Sequence, residues 1–419
     1  EAFRIMEEGD INLVIEMLNL GKDDAFTLAK RIRQKYEHVP IVVLTHFNRE
    51  VSIRLQKEDM SAIDYVFCWL GNADLLLAII KLIEDKMNAP YDIEKVGVQC
   101  IILVEDSIRY TSTYLPELYR IVMQQSRNFS REALNEHQRM LRMRGRPKIL
   151  LAKTYDEALE LYEHFKDNLL GIITDVSFKK GHKRDKEQKL GLKYIEHVRR
   201  EDPHMPALMQ SSDLSNAELA ESLGVGFLHK YSKSLSLELR NYIIQNFAFG
   251  EFIFMDPESL EEVSRAVDLH ALQQKILEVP DEVLSYHVER NHFSKWLNAR
   301  AIFPVAQLFK YVQKEDFYNL SEVRNYLHNA ISSYRISKGR GIIAKFDKTS
   351  YDAYKTFSRI GDESLGGKAR GLAFINSMIQ KHHLHNKYPN VLITVPKTVV
   401  LSTDVFDEFM ELNDLYRIG

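Results

Sequence analysis

Cysteine is nearly absent from the 419 residues: only Cys68 and Cys100 occur, each inside an apolar run. That excludes a disulfide framework and a cysteine zinc site and suits a reducing compartment, so the cytoplasm is the expected location. An excess of one charge is lacking too. Lys plus Arg number 56 against 59 Asp plus Glu, a formal net charge of -3, which gives no global attraction to nucleic acid or an anionic membrane. No apolar stretch approaches the roughly 18 residues of a membrane span, and no basic-then-apolar leader opens the sequence. Neither nucleic acid nor membrane is expected as a partner. The chain opens on Glu1 rather than methionine and closes at Gly419 just after an expected helix, so we expect an excerpt of a longer polypeptide.

What is present is ordinary for globular protein: 45% hydrophobic and 27% charged residues, enough for several cores and, at this length, about three domains. The first segment alternates helix and strand. Ala2 to Glu8 reads as helix, Leu13 to Met17 as strand, Ala25 to Tyr36 as helix and Pro40 to Thr45 as strand. Another helix, the strand Tyr65 to Cys68 and the helix Ala73 to Met87 follow. This spacing predicts a parallel sheet. Only three strands precede Met87, so the opening strand, helix and strand of a five-stranded domain are expected upstream of Glu1.

From Val96 the pattern is complete. Strands are expected at Cys100 to Val104, Lys148 to Ala152, Leu169 to Thr174, Pro206 to Gln210 and Gly226 to His229, with a closing helix from about Leu235 to Phe247. Their carboxyl ends run into Glu105 and Asp106, Asp175, Ser211 and Lys230. In an open parallel sheet such ends converge on the ligand crevice. Three acids crowded together need a cation, and oxygen donors suit Mg²⁺, while a hydroxyl and an amine can hold phosphoryl oxygens.

These residues, in this order, resemble the receiver domain of two-component response regulators over about residues 98 to 248. The resemblance implies that Asp175 accepts a phosphoryl group from a sensor histidine kinase or phosphotransfer protein. Glu105, Asp106, Asp175 and the Ser177 carbonyl would hold Mg²⁺, and Ser211 and Lys230 would bind the phosphoryl oxygens. Two departures are visible: Tyr231 stands where the family carries proline, and about 40 residues, Ser107 to Pro147, separate the first two strands. On the same template the first segment has Glu16 at the phosphoacceptor position, Thr45 at the hydroxyl, and Cys68 and Trp69 for lysine and proline, which implies a receiver that is not phosphorylated.

Two basic runs stand out: Arg139, Arg142, Arg144, Arg146 and Lys148 in the insert, and Lys179, Lys180, Lys183, Arg184, Lys186 and Lys189 after Asp175. They could steer a phosphorylated partner or a nucleotide, or be a solvated helix face and loop. A helical connector is expected next, with helices at Glu258 to Val267, Leu269 to Leu277, Asp281 to Ala299, Ile302 to Tyr311 and Leu320 to Tyr334. His287 and His292, five apart, would point to different helix faces and hold no metal, with Phe293 and Trp296 in the core. The cluster His382, His383 and His385 reads as exposed helix-end histidines.

Near the end, Gly361 and then Gly366-Gly367-Lys368 precede an expected helix. Glycine amides and a lysine at a helix start can approach phosphate, but Ala369 after Lys368 breaks the P-loop pattern. A strand from Asn390 to Pro396, a turn, a strand from Val399 and a helix capped by Thr403 or Asp404 follow. The order resembles the opening of the ATP-grasp domain of phosphoenolpyruvate synthase and pyruvate phosphate dikinase, with Lys397, Thr398 and Val399 altering a Pro-Gly-Phe turn. It implies ATP phosphates on Gly366, Gly367 and Lys368, and a phosphohistidine domain and pyruvate-binding barrel beyond Gly419.

The expected fold is α/β: two flavodoxin-like doubly wound receivers, the first incomplete (1–89) and the second carrying the phosphoacceptor (90–250), a helical connector (251–345) and the start of an ATP-grasp domain (346–419). The expected function is regulation, by Asp175 phosphorylation, of an ATP-dependent phosphotransferase of the phosphoenolpyruvate synthase type. The fragment itself would be inactive in the full reaction, with pyruvate a partner of the longer protein only. The alternative is a non-catalytic signalling or dimerisation protein, a homodimer, with a degenerate ATP-grasp region.

Overall fold

The computed structural model describes residues 2–20, 23–46, 53–55, 57–69, 71–130, 133–181, 186–187, 189–340, 342–346, 354, 356–384 and 387–417. They form two compact units, one of residues 1–125 and 146–249, the other of 126–145 and 250–419. Both are mixed α/β. Among the described residues no helix is long and apolar enough to cross a membrane.

The first unit holds two parallel sheets. The smaller has the strands Val14–Met17, Ile41–Thr45 and Tyr65–Cys68 in that order. All five residues of IVVLT are buried, as a central strand covered on both faces requires. Asp24 caps the helix Ala25–Lys35 by accepting from the Thr27 amide, a contact of about 1 kcal/mol. The helix expected between Thr45 and Tyr65 falls largely outside the described residues.

The larger sheet runs Gly226–His229, Ala207–Ser211, Leu169–Asp175, Cys100–Val104, Lys148–Ala152, all parallel. Numbered along the chain this is the order 2-1-3-4-5 of flavodoxin-type open sheets. CIILV and LLGIITD are buried throughout. Gly171 leaves room for a ring: a Cβ there would lie 2.2 Å from Phe247 Cε1.

One buried ion pair joins the two sheets' layers. Asp85, 0% exposed, lies on the helix Asp74–Tyr91. Its carboxylate accepts from both terminal nitrogens of Arg146 at 2.7 and 3.0 Å, from the Tyr119 hydroxyl at 2.9 Å and from the Ile149 amide at 2.9 Å. Lys148 pairs with Asp92 at 2.6 Å. Arg146 and Lys148 are therefore internal ties, not a solvated basic face. Removing either partner of such a pair strands a buried charge, at a cost of about 3 to 5 kcal/mol. In the other basic run, Lys183 and Arg184 and the Lys186 side chain lie outside what is described.

The second unit departs from expectation in three places. Residues 258–267 are not a helix. Phe252–Met255 and Glu262–Ala266 form an antiparallel hairpin, because Asp256 accepts from the Glu258 and Ser259 amides and closes a turn. Phe252, Phe254 and Ala266 go inward. The helix expected over Asp281 to Ala299 breaks into Asp281–Glu289 and His292–Ala299, with Asn291 left-handed at φ 55°. That break brings His287 and His292 together, Nδ1 to Nδ1 at 2.9 Å, instead of on different faces. The Met255 amide donates to His287 Nε2 at 2.9 Å, so His287 carries its proton on Nδ1; burial keeps it neutral, pushing its pKa down to about 4. Phe293 and Trp296 are both buried.

Third, the only strand in the region expected to hold two is Thr398–Leu401; residues 391–397 have no regular structure. Pro396 has no N–H for a ladder. Thr398–Leu401 pairs in parallel with Phe357–Ile360, itself beside Ala344–Lys345, and the helix Gly367–Lys381 makes the crossover. His382 ends that helix, while His385 lies outside the described residues.

Candidate functional site

The carboxyl edge of the larger sheet gathers residues from five chain segments. Val104 and Asp175 end neighbouring strands, so Glu105, Asp106 and Asp175 meet with one oxygen each, all within 4.8 Å of one another. Glu105 is 0% exposed and Asp175 7%. Lys230 follows the strand Gly226–His229, its amide donating to the Ser211 carbonyl at 2.8 Å. Its ammonium spans the site, 2.6 Å from Glu105 Oε2 and 2.8 Å from Asp175 Oδ2. The Tyr110 ring lies 4.2 Å from the same nitrogen.

Each acid is oriented by the backbone. The Ser107 amide donates to Glu105 Oε1 at 3.0 Å, and the Val176 amide to Asp175 Oδ1 at 2.7 Å. The Ser177 amide points at the same Asp175 oxygen from 3.5 Å. Asp175 Oδ2 thus meets the lysine, and Oδ1 the loop. Gly191 lets the loop close here, since a Cβ would come 2.1 Å from the Asp175 carbonyl oxygen. Ser211, 6% exposed, accepts on Oγ from the Asp213 amide and Asn216 Nδ2, both at 3.0 Å.

Burial raises the Glu105 carboxyl above the usual carboxylate range; the Lys230 ammonium pulls it back down and the Asp175 charge adds to the rise. Three carboxylates against one ammonium leave two formal negative charges, those of one divalent cation. The donors are all oxygen, so the residues fit a hard ion such as Mg²⁺.

Three contributors carry no sequence signal on their own. Gln210 donates to Glu105 Oε2 at 3.3 Å. Tyr110 and Tyr114 stack at 6.2 Å on the helix that follows the acid pair, and the Tyr114 hydroxyl is buried with no hydrogen-bond partner among the described residues. Their i, i+4 spacing directly after Glu105-Asp106 is the pattern that could have marked them.

The smaller sheet permits a residue-by-residue comparison. The Trp69 amide donates to the Thr45 carbonyl at 2.8 Å, as Lys230 does to Ser211, and the Leu18 amide donates to Leu44 as Val176 does to Gln210. By this ladder Met17, not Glu16, stands at the Asp175 position, and Trp69, not Cys68, at the Lys230 position. The correction is one residue, which in a strand is the opposite face. Glu16 is buried to 7% exposure with neither carboxylate oxygen hydrogen-bonded among the described residues, whereas Met17 is 37% exposed.

In the other unit, Gly366 caps the helix Gly367–Lys381 and Lys368 is exposed in its first turn. Neither Gly366 nor Gly367 has a positive φ, and among the described residues no atom lies within 4 Å of a Cβ built on either. Gly361, at φ 95°, does need to be glycine. Its turn is pinned by Asp404, which accepts from Ser402 Oγ and from the Asp362 amide at 2.8 Å, contacts that lower its pKa to about 2.

No protein-family model matches the chain, and a search of curated proteins finds no match. Among solved structures, the chain is similar to NtrX from Brucella abortus, crystallised in complex with ADP, at 10% identity and a TM-score of 0.18, covering 92% of this chain and 86% of that one. A score so low leaves fold and function to be read from the chain's own residues.

Proposed function

We propose that residues 90–250 are a receiver that takes a phosphoryl group on Asp175 from a phosphohistidine of a sensor kinase or phosphotransfer protein. The observation that carries this reading is the Lys230 ammonium bridging Glu105 and Asp175, with Asp106 beside them and Ser211 buried at the same sheet edge. Asp175 Oδ2 attacks phosphorus while the bond to the donor imidazole nitrogen breaks, that nitrogen keeping the electron pair. Lys230 leaves the carboxylates and meets a phosphoryl oxygen; Ser211 donates its hydroxyl to another. Mg²⁺ held by Glu105, Asp106, Asp175 and the Ser177 carbonyl would offset charge on the phosphoryl oxygens. Residues 1–89 lack both the acid and the lysine at the matching positions and serve as a receiver-like partner that is not phosphorylated.

For residues 346–419 we propose the opening of an ATP-grasp domain of the phosphoenolpyruvate synthase type, its output regulated by the receiver. Support comes from the strand, pinned Gly361 turn, helix and strand order, and from a glycine pair that neither φ nor packing calls for beside Lys368. In a longer protein spanning that domain, Lys368 would contact ATP phosphates.

Beryllofluoride with Mg²⁺ tests the receiver. In ¹⁹F NMR the chain should give bound signals that Asp175→Asn and Lys230→Met abolish, while Glu16→Gln keeps them. Bound signals in Asp175→Asn would refute the assignment.

A further inference from the structure

The first unit contains a cleft of about 420 Å³, lined by none of the acids around Asp175, between the helix Asp74–Tyr91, the edge strand Lys148–Ala152 and the helix Tyr155–Phe165. Its volume is within the range of small-molecule sites. Leu82, Pro90, Leu161 and Phe165 give it apolar walls. Tyr65 forms one side, and two amines meet on its ring: Lys153 Nζ at 4.2 Å from the centroid and Lys86 Nζ at 5.5 Å.

Among the described residues Lys153 has one hydrogen bond from its ammonium, to the Asp64 carbonyl at 2.7 Å, although an ammonium carries three donors. Burial pushes its pKa down to about 8; Glu157 opposes the fall, Lys86 adds to it, Asp64 opposes and Lys179 adds. Two cations on one ring, one of them desolvated, are relieved by an anion between them. The sheet edge offers another donor. Leu150 pairs inward, so Ile149, Leu151 and Lys153 turn their amides outward. Asp85 takes that of Ile149 and Glu157 that of Lys153, and among the described residues none takes that of Leu151. Acids at the rim set a limit on ligand charge. Of the three acids on the lining, Asp64 is paired with Arg33 at 2.6 Å, the Glu157 carboxylate accepts from the Lys153 amide at 2.7 Å, and Glu160 is exposed. They favour a singly charged anion over a phosphate or polyanion.

We propose that this cleft binds a small organic monocarboxylate with an aromatic or branched apolar body. Its carboxylate meets Lys153, Lys86 and the Leu151 amide, and its body covers Leu82, Pro90, Leu161 and Phe165. Because the cleft is built from the helix of the first sheet and the edge of the second, such a ligand would contact both receiver-like segments at once.

The test uses the whole chain and calorimetry with phenylacetate, indole-3-acetate and 4-methylpentanoate, against phenylacetamide and inorganic phosphate. At least one acid should bind with one-to-one stoichiometry, and phenylacetamide and phosphate at least about tenfold more weakly. Lys153→Gln should cost about ten- to a hundredfold in affinity. Lys86→Gln, at an exposed position, should cost about tenfold. Acetyl phosphate labelling should be unchanged in both variants. No saturable binding of any acid up to about 10 mM, equal binding of the amide, or unchanged affinity in Lys86→Gln would overturn the proposal.

Discussion

Glu16 offers a perturbation whose size can be worked from the structure. Its carboxyl is buried on the smaller sheet without a hydrogen-bond partner among the described residues, and its pKa is raised from 4.5 to about 7, chiefly by desolvation and then by the Asp24 charge. In the unfolded chain it titrates near 4.5, so between that pH and about 7 the folded state holds the proton more tightly. Its contribution is full below 4.5 and is lost as pH rises through about 7. At about 1.4 kcal/mol per pH unit the loss at pH 8 is about 3 kcal/mol. Glu16→Gln does not titrate, and the cost of burying its amide is nearly the same at every pH. The stability of the variant relative to wild type should therefore be flat below pH 4.5 and rise by about 3 kcal/mol by pH 8. Urea titrations of both proteins at pH 4.5, 6, 7 and 8, followed by far-UV circular dichroism, measure the difference. Glu105, which also titrates, is common to both and cancels. A difference that does not change with pH would mean that Glu16 finds a partner or solvent, and the argument from desolvation would fail.

Asp85→Ala should destabilise the first unit by about 3 to 5 kcal/mol, because Arg146 stays buried without its acid, and thermal unfolding checks it. Gly191→Ala should disturb the Asp175 loop more than the sheet, since the added Cβ meets the Asp175 carbonyl oxygen; hydrogen exchange should rise at Val176 and Ser177 and stay unchanged at Cys100–Val104. Asp106→Asn should weaken Mg²⁺ binding by about tenfold, read by NMR titration, since it removes one of three clustered carboxylates.

The parallel sheets were legible because runs such as CIILV and PIVVLT admit few other structures in water, and polar residues directly after them mark carboxyl ends. The helix expected at Glu258 to Val267 follows Asp256-Pro257, a pair that starts a helix or an Asx turn equally well, and only the pairing of Phe252 and Phe254 with Ser264 and Ala266 decides. The pattern alone puts Glu16 one residue out because strand ends are its least certain part, while the ladder fixes register through the Thr45 carbonyl. Arg146 looked like part of a basic surface, since nothing local announces that Asp85, 61 positions earlier, lies against it.

Asp175 is the centre of the account, and its phosphorylation is measured directly by intact mass spectrometry after treatment with acetyl phosphate and Mg²⁺. One acid-labile phosphate per chain is expected, lost in Asp175→Ala, lost when Mg²⁺ is chelated, and retained in Glu16→Ala. Equal labelling of Asp175→Ala would contradict it.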